Sequence, residues 1–399
     1  MGKPVLLFYR QRSEGIGRLL QCLALARSLS RHFHPVVLNN GPLPAGIEAP
    51  VGVDVVQLPP REQGPGKNVI SIHDSYDQQQ IAALRRKFIL QQFADLEPAV
   101  LMFDSFPFGG SGQRDELLPL LERARSTTGT GPLILCCLQD IQNGRGPNPQ
   151  KQHDQTAKLL EQFFDAVLVH ADPVFARLEE FFQPKNPLTV PVHYTGFLLP
   201  GQQACATKAA TEERVLVSAG SGATGIPLFR AAIEAHRLLW EAERLPMTIV
   251  TGPLLPEKDW SEMQWHSRGS QALTIKRSVP NLGAEMRKVR WSVSQCGYST
   301  AAEVIASKVS ALFVPSNGRH HADQADRAHR LVHWGVGRLL VQDHLNSVSL
   351  ANEMLQLVRF APRETGFNLS GSTNTIKLIE QLTNTDFAGG AMHAAGLIG

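Results

Sequence analysis

The stretch Val5-Leu6-Leu7-Phe8-Tyr9-Arg10-Gln11-Arg12-Ser13-Glu14-Gly15-Ile16-Gly17-Arg18 decides the reading of the fold. Five apolar residues make a short buried strand, Gly15 and Gly17 permit a tight turn, and a helical period follows over 18–29. The same grammar returns at Val215-Leu216-Val217-Ser218-Ala219-Gly220-Ser221-Gly222-Ala223-Thr224-Gly225, ahead of a helical period over 227–240.

Outward from these two units the pattern repeats. In the first half, apolar runs at 36–39, 53–58, 99–103, 133–138 and 166–170 alternate with amphipathic stretches at 79–93, 115–125, 156–164 and 173–182. In the second, strands are expected at 248–251, 273–275, 291–294, 311–314 and 339–341, with helices at 300–307, 324–333 and 347–357. Such alternation is the signature of parallel α/β sheets. Between the halves, 199–210 is small, polar and without period, so it reads as a linker. The expectation is an N-terminal Rossmann-like domain at 1–199, a linker at 200–210 and a C-terminal Rossmann-like domain at 211–399, two doubly wound α/β units facing each other across a cleft. The Ala- and Gly-rich tail at 388–399 reads as poorly ordered.

Composition agrees with two domains, since the chain has 399 residues and one ordinary domain rarely exceeds about 250. Hydrophobic residues are 43% and charged residues 19%, which excludes large-scale disorder. A net charge of +3 argues against a dedicated nucleic-acid binder, although a local basic patch for an anionic membrane surface is compatible with it. Five cysteines without a CxxC pair form neither a disulfide framework nor a zinc ribbon, so a reducing, cytoplasmic setting is expected. The opening apolar run ends after five residues, short of a signal core.

Chemistry concentrates at three turns. The first, through Gly15 and Gly17, lacks the third glycine of a dinucleotide fingerprint, because Gln21 and Cys22 stand there. It reads either as a ligand-facing loop or as a connecting turn. The second, Gly220-Ser221-Gly222, lacks the Gly-Lys-Ser/Thr of a P-loop, yet the start of the helix behind it offers amides to a diphosphate. Third comes Val293-Ser294-Gln295-Cys296-Gly297-Tyr298-Ser299-Thr300-Ala301-Ala302-Glu303. Ser299 and Thr300 are expected to cap the next helix. Glu303 then has two readings, one as the far end of a capping box and one as an acceptor for ribose hydroxyls. His320, His321, Asp323, His329 and His333 are crowded, but no HExxH occurs, and donor-phosphate contacts or a solvated helix face are favoured over a metal site.

The segments 294–303, 311–315 and 321–328 resemble the C-terminal domain of the peptidoglycan N-acetylglucosaminyltransferase family. With Phe106-Pro107-Phe108-Gly109, Leu138-Gln139-Asp140-Ile141, 165–173 and Tyr194-Thr195-Gly196, the chain is more closely similar to a bacterial branch of predicted glycosyltransferases related to it, over roughly residues 5–345. The resemblance implies a GT-B fold and an activated sugar donor held mostly by the C-terminal domain. It assigns Glu303 to the nucleotide ribose, Gly297, Tyr298, Ser299 and Thr300 to the diphosphate opposite Gly220, Ser221 and Gly222, and the Val279 backbone to the base. Gln324, at the start of its helix, would contact the sugar hydroxyls; the donor-phosphate contacts considered above for the histidines would come from His320 and His321. No cofactor and no metal ion are expected, because helix amides and dipoles offset the leaving diphosphate.

One departure bears on mechanism. The branch carries histidine, the usual candidate base, where this chain has Arg18, and a guanidinium does not give up its proton near neutral pH. Arg18 is therefore expected to bind an anionic group of donor or acceptor, with Gly15 and Gly17 beside it. Glu14 or Asp104 is then expected to be the base, unless transferase chemistry has been lost. Three functions follow: an inverting, uridine-nucleotide-dependent glycosyltransferase; a nucleotide-sugar-binding protein without turnover; and a nucleotide-sugar epimerase. The partners expected are a nucleotide-diphosphate sugar and an acceptor contacted by N-terminal loops, notably 59–77.

Overall fold

The computed structural model describes residues 2–11, 15–41, 43–44, 46–60, 78–108, 113–127, 131–141, 148–200, 211–318 and 322–395, with only the backbone at 78 and 384–395. The first half runs β1 (Val5–Arg10), α1 (Gly17–Leu29), β2 (His34–Asn39), β3 (Asp54–Gln57), α2 (Gln78–Leu96), β4 (Val100–Asp104), α3 (Arg114–Arg125), β5 (Leu133–Leu138), α4 (Pro149–Phe163), β6 (Ala166–Val169) and β7 (Val192–Tyr194). The second runs β8 (Glu212–Ser218), α5 (Ile226–Glu243), β9 (Met247–Val250), α6 (Glu257–His266), β10 (Leu273–Lys276), α7 (Leu282–Lys288) and β11 (Val289–Ser294). It continues through α8 (Tyr298–Ser307), β12 (Ser310–Phe313), α9 (Ala322–His333), β13 (Gly337–Leu339), α10 (Ser347–Val358) and α11 (Gly371–Ala395).

The strands form two sheets, ordered β3-β2-β1-β4-β5-β6-β7 and β10-β9-β8-β11-β12-β13, and every pairing is parallel. Each sheet reverses direction beside its first strand, the doubly wound arrangement with helices on both faces. That explains the unbroken apolar runs, since a strand covered on both sides has no polar face. In β5, Leu133, Leu135 and Cys137 point into one core, and Ile134, Cys136 and Leu138 into the opposite one. The adjacent cysteines thus lie on different faces of the sheet.

The core on the inner faces is continuous between the halves. Leu6 and Phe8 of β1 belong to the same buried cluster as Leu216 of β8, Met286 of α7 and Val304 of α8. α11 completes this layer from the far end of the chain. Ile379 is fully buried in the shared core, Asn374 Nδ2 donates to Thr195 O at 2.8 Å, and His32 meets Glu380. The crossing back is tied by Phe197 N to Asn368 O (2.8 Å) and Gly371 N to Phe197 O (3.2 Å). A β-carbon at Gly371 would press on the Phe197 carbonyl, so this approach requires glycine.

Several elements differ from the sequence expectation. The helix expected at 173–182 is only a single 3-10 turn, Leu178–Glu180. Asp172 starts one turn, its Oδ1 accepting the Val174 amide and its carbonyl those of Phe175 and Ala176, while its Oδ2 accepts the Asn368 amide. The backbone then turns extended at Arg177, which ends the path. β7, α6, α7 and α11 have no counterpart among the expected elements, and α11 runs through part of the stretch whose composition suggests a disordered tail. The inter-half segment 201–210 lies outside the described residues.

Candidate active site

Both sheets aim their carboxyl edges at one cleft of about 1230 Å³. The segments after β1, β8 and β11 line it, as does Ser105 just after β4. These are the ends of the strands flanking the two points where strand order reverses, where a doubly wound sheet leaves a crevice. The halves approach closely there. A β-carbon at Gly17 would lie 3.0 Å from Ser299 Oγ, and one at Gly15 3.8 Å from Ser221 Oγ.

The C-terminal wall is built on two helix starts. α8 begins at Tyr298 with Gly297 as its cap residue and no side-chain cap. The amides of Tyr298, Ser299 and Thr300 therefore have no partner within the helix and combine with its positive dipole end. Ser299 Oγ is buried, with no hydrogen-bond partner among the described residues. Opposite, 219–225 folds into turns in which Gly222 N donates to Ala219 O (3.0 Å) and Gly225 N to Gly222 O (3.1 Å). The Gly222 amide is thereby committed to the loop, and a left-handed φ of 88° makes glycine the favoured residue there. Gln295 joins the two segments, donating from Nε2 to Thr224 O at 3.1 Å while Thr224 Oγ1 donates to its Oε1 at 3.3 Å.

Because α8 starts at Tyr298, Ser299 and Thr300 lie inside the first turn and Glu303 in the second. The capping-box alternative for Glu303 does not form. Its carboxylate rests against Gly283 of α7, where a β-carbon would collide with it, and stands 4.0 Å from Arg287 Nη1. Burial raises its pKa, with Arg287 pulling in the opposite direction. Val279 lines the cleft between β10 and α7. Gln324 lines it from the first turn of α9, with its Oε1 accepting the Ser316 amide at 3.1 Å.

On the N-terminal wall, Arg18 is the second residue of α1. Its Nη1 makes an ion pair with Asp104 Oδ1 at 3.0 Å and donates to Ser105 Oγ. The anion on Arg18 is thus Asp104 of this chain. Asp104 is set back from the cleft, and its Oδ2 is buried with no hydrogen-bond partner among the described residues. This corrects the expectation of a carboxylate free on a cleft-facing loop. Ser105 does line the cleft, and its φ of 64° places a non-glycine residue in the left-handed region. Glu14 and His321 lie outside the described residues.

The Tyr298 side chain does something the sequence expectation did not include. Its phenol is buried and crosses to the other half, donating to His170 O and accepting Leu198 N at 2.9 Å, so the side chain ties the two halves together. Sequence reasoning missed Arg327 and Asp140 as partners. Arg327 Nε and Nη2 each lie 2.7 Å from an Asp140 oxygen, and both side chains are fully buried. Burial pulls the Arg327 pKa down, but the carboxylates of Asp140 and Asp323 outweigh it and hold the guanidinium above its ordinary value. The spacing of Asp323 and Arg327, four residues apart on one helix, was the available signal; nothing local pointed to Asp140.

Among the described residues, no three His, Cys, Asp or Glu side chains gather to hold a metal ion, and no helix is long and apolar enough to cross a membrane.

Residues 214–381 match the glycosyltransferase family 28 C-terminal domain. No curated protein matches the chain significantly. Among solved structures, MurG of Acinetobacter baumannii is 16% identical with a TM-score of 0.59, covering 95% of this chain and 100% of its own. The spinosyn rhamnosyltransferase SpnG is 15% identical with a TM-score of 0.56, covering 96% of each chain. A UDP-glucosyltransferase from Polygonum tinctorium is 15% identical with a TM-score of 0.57, covering 96% of this chain and 99% of its own. At these identities the likeness is one of fold, and the chain has the GT-B architecture.

Proposed function

We propose that this GT-B chain, whose residues 214–381 match a glycosyltransferase domain, transfers a glycosyl group from a uridine-diphosphate sugar to an acceptor seated on the N-terminal half. The observation that carries the reading is the start of α8, where three amides without helical partners and the Ser299 hydroxyl line the cleft beside the buried carboxylate of Glu303. Amides at a helix start suit a diphosphate, and a buried carboxylate one turn along the same helix suits ribose hydroxyls. Val279 would meet the base, and Gln324 the donor sugar. Two solved structures of the same fold, one of a UDP-glucosyltransferase and one of a protein in complex with UDP, support the choice of nucleotide.

In this reading the acceptor oxygen attacks the anomeric carbon as the bond to the diphosphate breaks, with inversion. A guanidinium is no base near neutral pH, so the acceptor's proton passes to a carboxylate. That carboxylate is Glu14, or Asp104 reached through the Ser105 hydroxyl, which lines the cleft and donates to Asp104 Oδ1. The diphosphate charge is met by α8 amides, and transfer proceeds in EDTA. A second reading, nucleotide-sugar binding without turnover, is favoured by one observation: the ion pair that ties Asp104 to Arg18.

Calorimetry with UDP, ADP and GDP tests the donor site, and selective UDP binding is expected. Incubation with UDP-glucose or UDP-N-acetylglucosamine, followed for UDP release with and without EDTA, then separates transfer or donor hydrolysis from binding alone. Absence of any nucleotide binding would refute both readings.

A further inference from the structure

Arg327 uses all five of its N–H donors. Nε donates to Asp140 Oδ2 at 2.7 Å, and Nη2 to Asp140 Oδ1 at 2.7 Å and Asp323 Oδ2 at 3.1 Å. Nη1 donates to Cys296 O at 2.8 Å and to Asp323 Oδ2 at 3.1 Å. Two of these partners adjoin the donor segments: Cys296 immediately precedes Gly297, and Asp323 immediately precedes Gln324. The third, Asp140, comes from the turn after β5 in the other half, where its Oδ1 also accepts the Ile141 amide at 2.6 Å.

We propose that Asp140 is a positioning residue for the donor site of the opposite half, acting through Arg327. Resting on the function proposed above, this says that the N-terminal half determines where the α8 amides and the Gln324 side chain stand. The geometry argues for more than cohesion. A buried ion pair is costly to desolvate, and a well-packed apolar pair commonly stabilises as well or better. What an apolar pair lacks is a fork that fixes two carboxylates and a carbonyl in one plane. Lysine lacks it too, having three donors on a point charge.

Two more ties hold the same two helices against the first half. The Tyr298 hydroxyl bridges His170 O and Leu198 N, and Arg330 Nη1 donates to Phe175 O at 2.8 Å. The Arg327 guanidinium lies 6.0 Å from the Tyr298 ring centroid, so the ties are contiguous. Seating of the halves and shaping of the donor loops therefore form one event, with Asp140 at its N-terminal end.

The test uses the full chain and compares wild type with Asp140→Asn, Arg327→Lys and the double variant Asp140→Leu/Arg327→Met. The readouts are calorimetric affinity for UDP and UDP-N-acetylglucosamine, the melting midpoint, and hydrogen exchange in the ligand-free protein. Two amides report locally: Ala301, bonded to Gly297 O, and Ser316, bonded to Gln324 Oε1, each set against the β2 amides as an internal reference. Asp140→Asn and Arg327→Lys should weaken nucleotide binding about tenfold, within the coupling range of residues sharing a salt-bridge network, and should deprotect both amides. The apolar double variant should recover the melting midpoint while affinity and protection stay low. The proposal is overturned if affinity and protection return together with the midpoint, or if the single variants melt early yet bind as wild type. Should wild type bind no nucleotide, the functional reading falls, and exchange at Ala301 and Ser316 still decides: deprotection in Asp140→Asn supports positioning, and unchanged protection refutes it.

Discussion

Arg18 Nη1 stands 3.0 Å from Asp104 Oδ1 where the first turn of α1 meets the end of β4, and both groups engage the Ser105 hydroxyl. A guanidinium is not a base near neutral pH, so only the carboxylate side of this pair can receive a proton, by way of the Ser105 hydroxyl that lines the cleft. Asp104→Asn is expected to lower kcat for transfer from a UDP-sugar by about 10²–10⁴, with calorimetric UDP affinity unchanged. An unchanged kcat would remove Asp104 from the chemistry.

Glu303 links affinity to pH. An ionised carboxylate accepts two ribose hydroxyls, and charge-assisted bonds of this kind are worth roughly 1.5–3 kcal/mol. Glu303→Ala should therefore weaken UDP binding strongly and Glu303→Gln less. Burial raises the Glu303 pKa above its ordinary 4.5, so as pH falls through the raised value the carboxyl protonates and UDP affinity drops. Stability of the ligand-free protein moves the other way. The native state binds the proton more readily than the unfolded chain, so Glu303's contribution is present below 4.5 and is lost as pH rises through the raised value. His170 titrates in the same window in both proteins, so the comparison is the difference between wild type and Glu303→Gln. As pH falls, that difference should fall in calorimetric UDP affinity and rise in stability measured by melting.

Gly283 keeps the Glu303 carboxylate where it is. Alanine there would place a β-carbon on that group and displace it, although α7 itself would gain about 1 kcal/mol of helix propensity. Gly283→Ala is expected to melt near wild type but to bind UDP as weakly as Glu303→Ala. Wild-type affinity in this variant would separate Glu303 from the nucleotide.

His170 is buried, with Nδ1 2.8 Å from Thr195 Oγ1 and no hydrogen-bond partner for Nε2 among the described residues. Burial lowers its pKa from 6.5 to about 3. Between those values the unfolded chain takes up a proton that the native protein refuses, so stability is lost as pH falls from 6.5 toward 3. Replacement by Gln should reduce the slope of unfolding free energy against pH by up to about 1.4 kcal/mol per unit in this window. Denaturant titrations at pH 7, 6 and 5 measure it.

What could be read from sequence follows the reach of the forces involved. β5 is bounded at Leu133 and Leu138 in both readings, because a parallel strand covered on two faces is an unbroken apolar run. Gly17, Ser221, Ser299, Glu303 and Gln324 could be gathered along one cleft because each lies between the carboxyl end of a strand and the opening turns of the helix that follows it. The Tyr298 phenol could not be placed, since an aromatic residue beside a glycine turn carries no sign of which half it enters. Asp140 and Arg327 are 187 positions apart, and the Asp323–Arg327 spacing reads as a solvated pair on a helix face. α11 was invisible for a related reason: its first turns are ordered by burial of Ile379 against the other half, which composition does not encode.

The return of α11 to the N-terminal layer means that the polypeptide passes between the halves twice, through 201–210 and again along 359–370. The two covalent crossings therefore add to the shared core of Leu6, Leu216 and Ile379 in holding the halves together. The same arrangement gives each half a surface that the other half covers. A fragment ending at 200 leaves the inner face of α1 without part of its cover, and one beginning at 211 carries the apolar side of α11 with nothing to receive it. Supplied together, such fragments are natural candidates for split-protein complementation, in which the terminal helix acts as the docking plug.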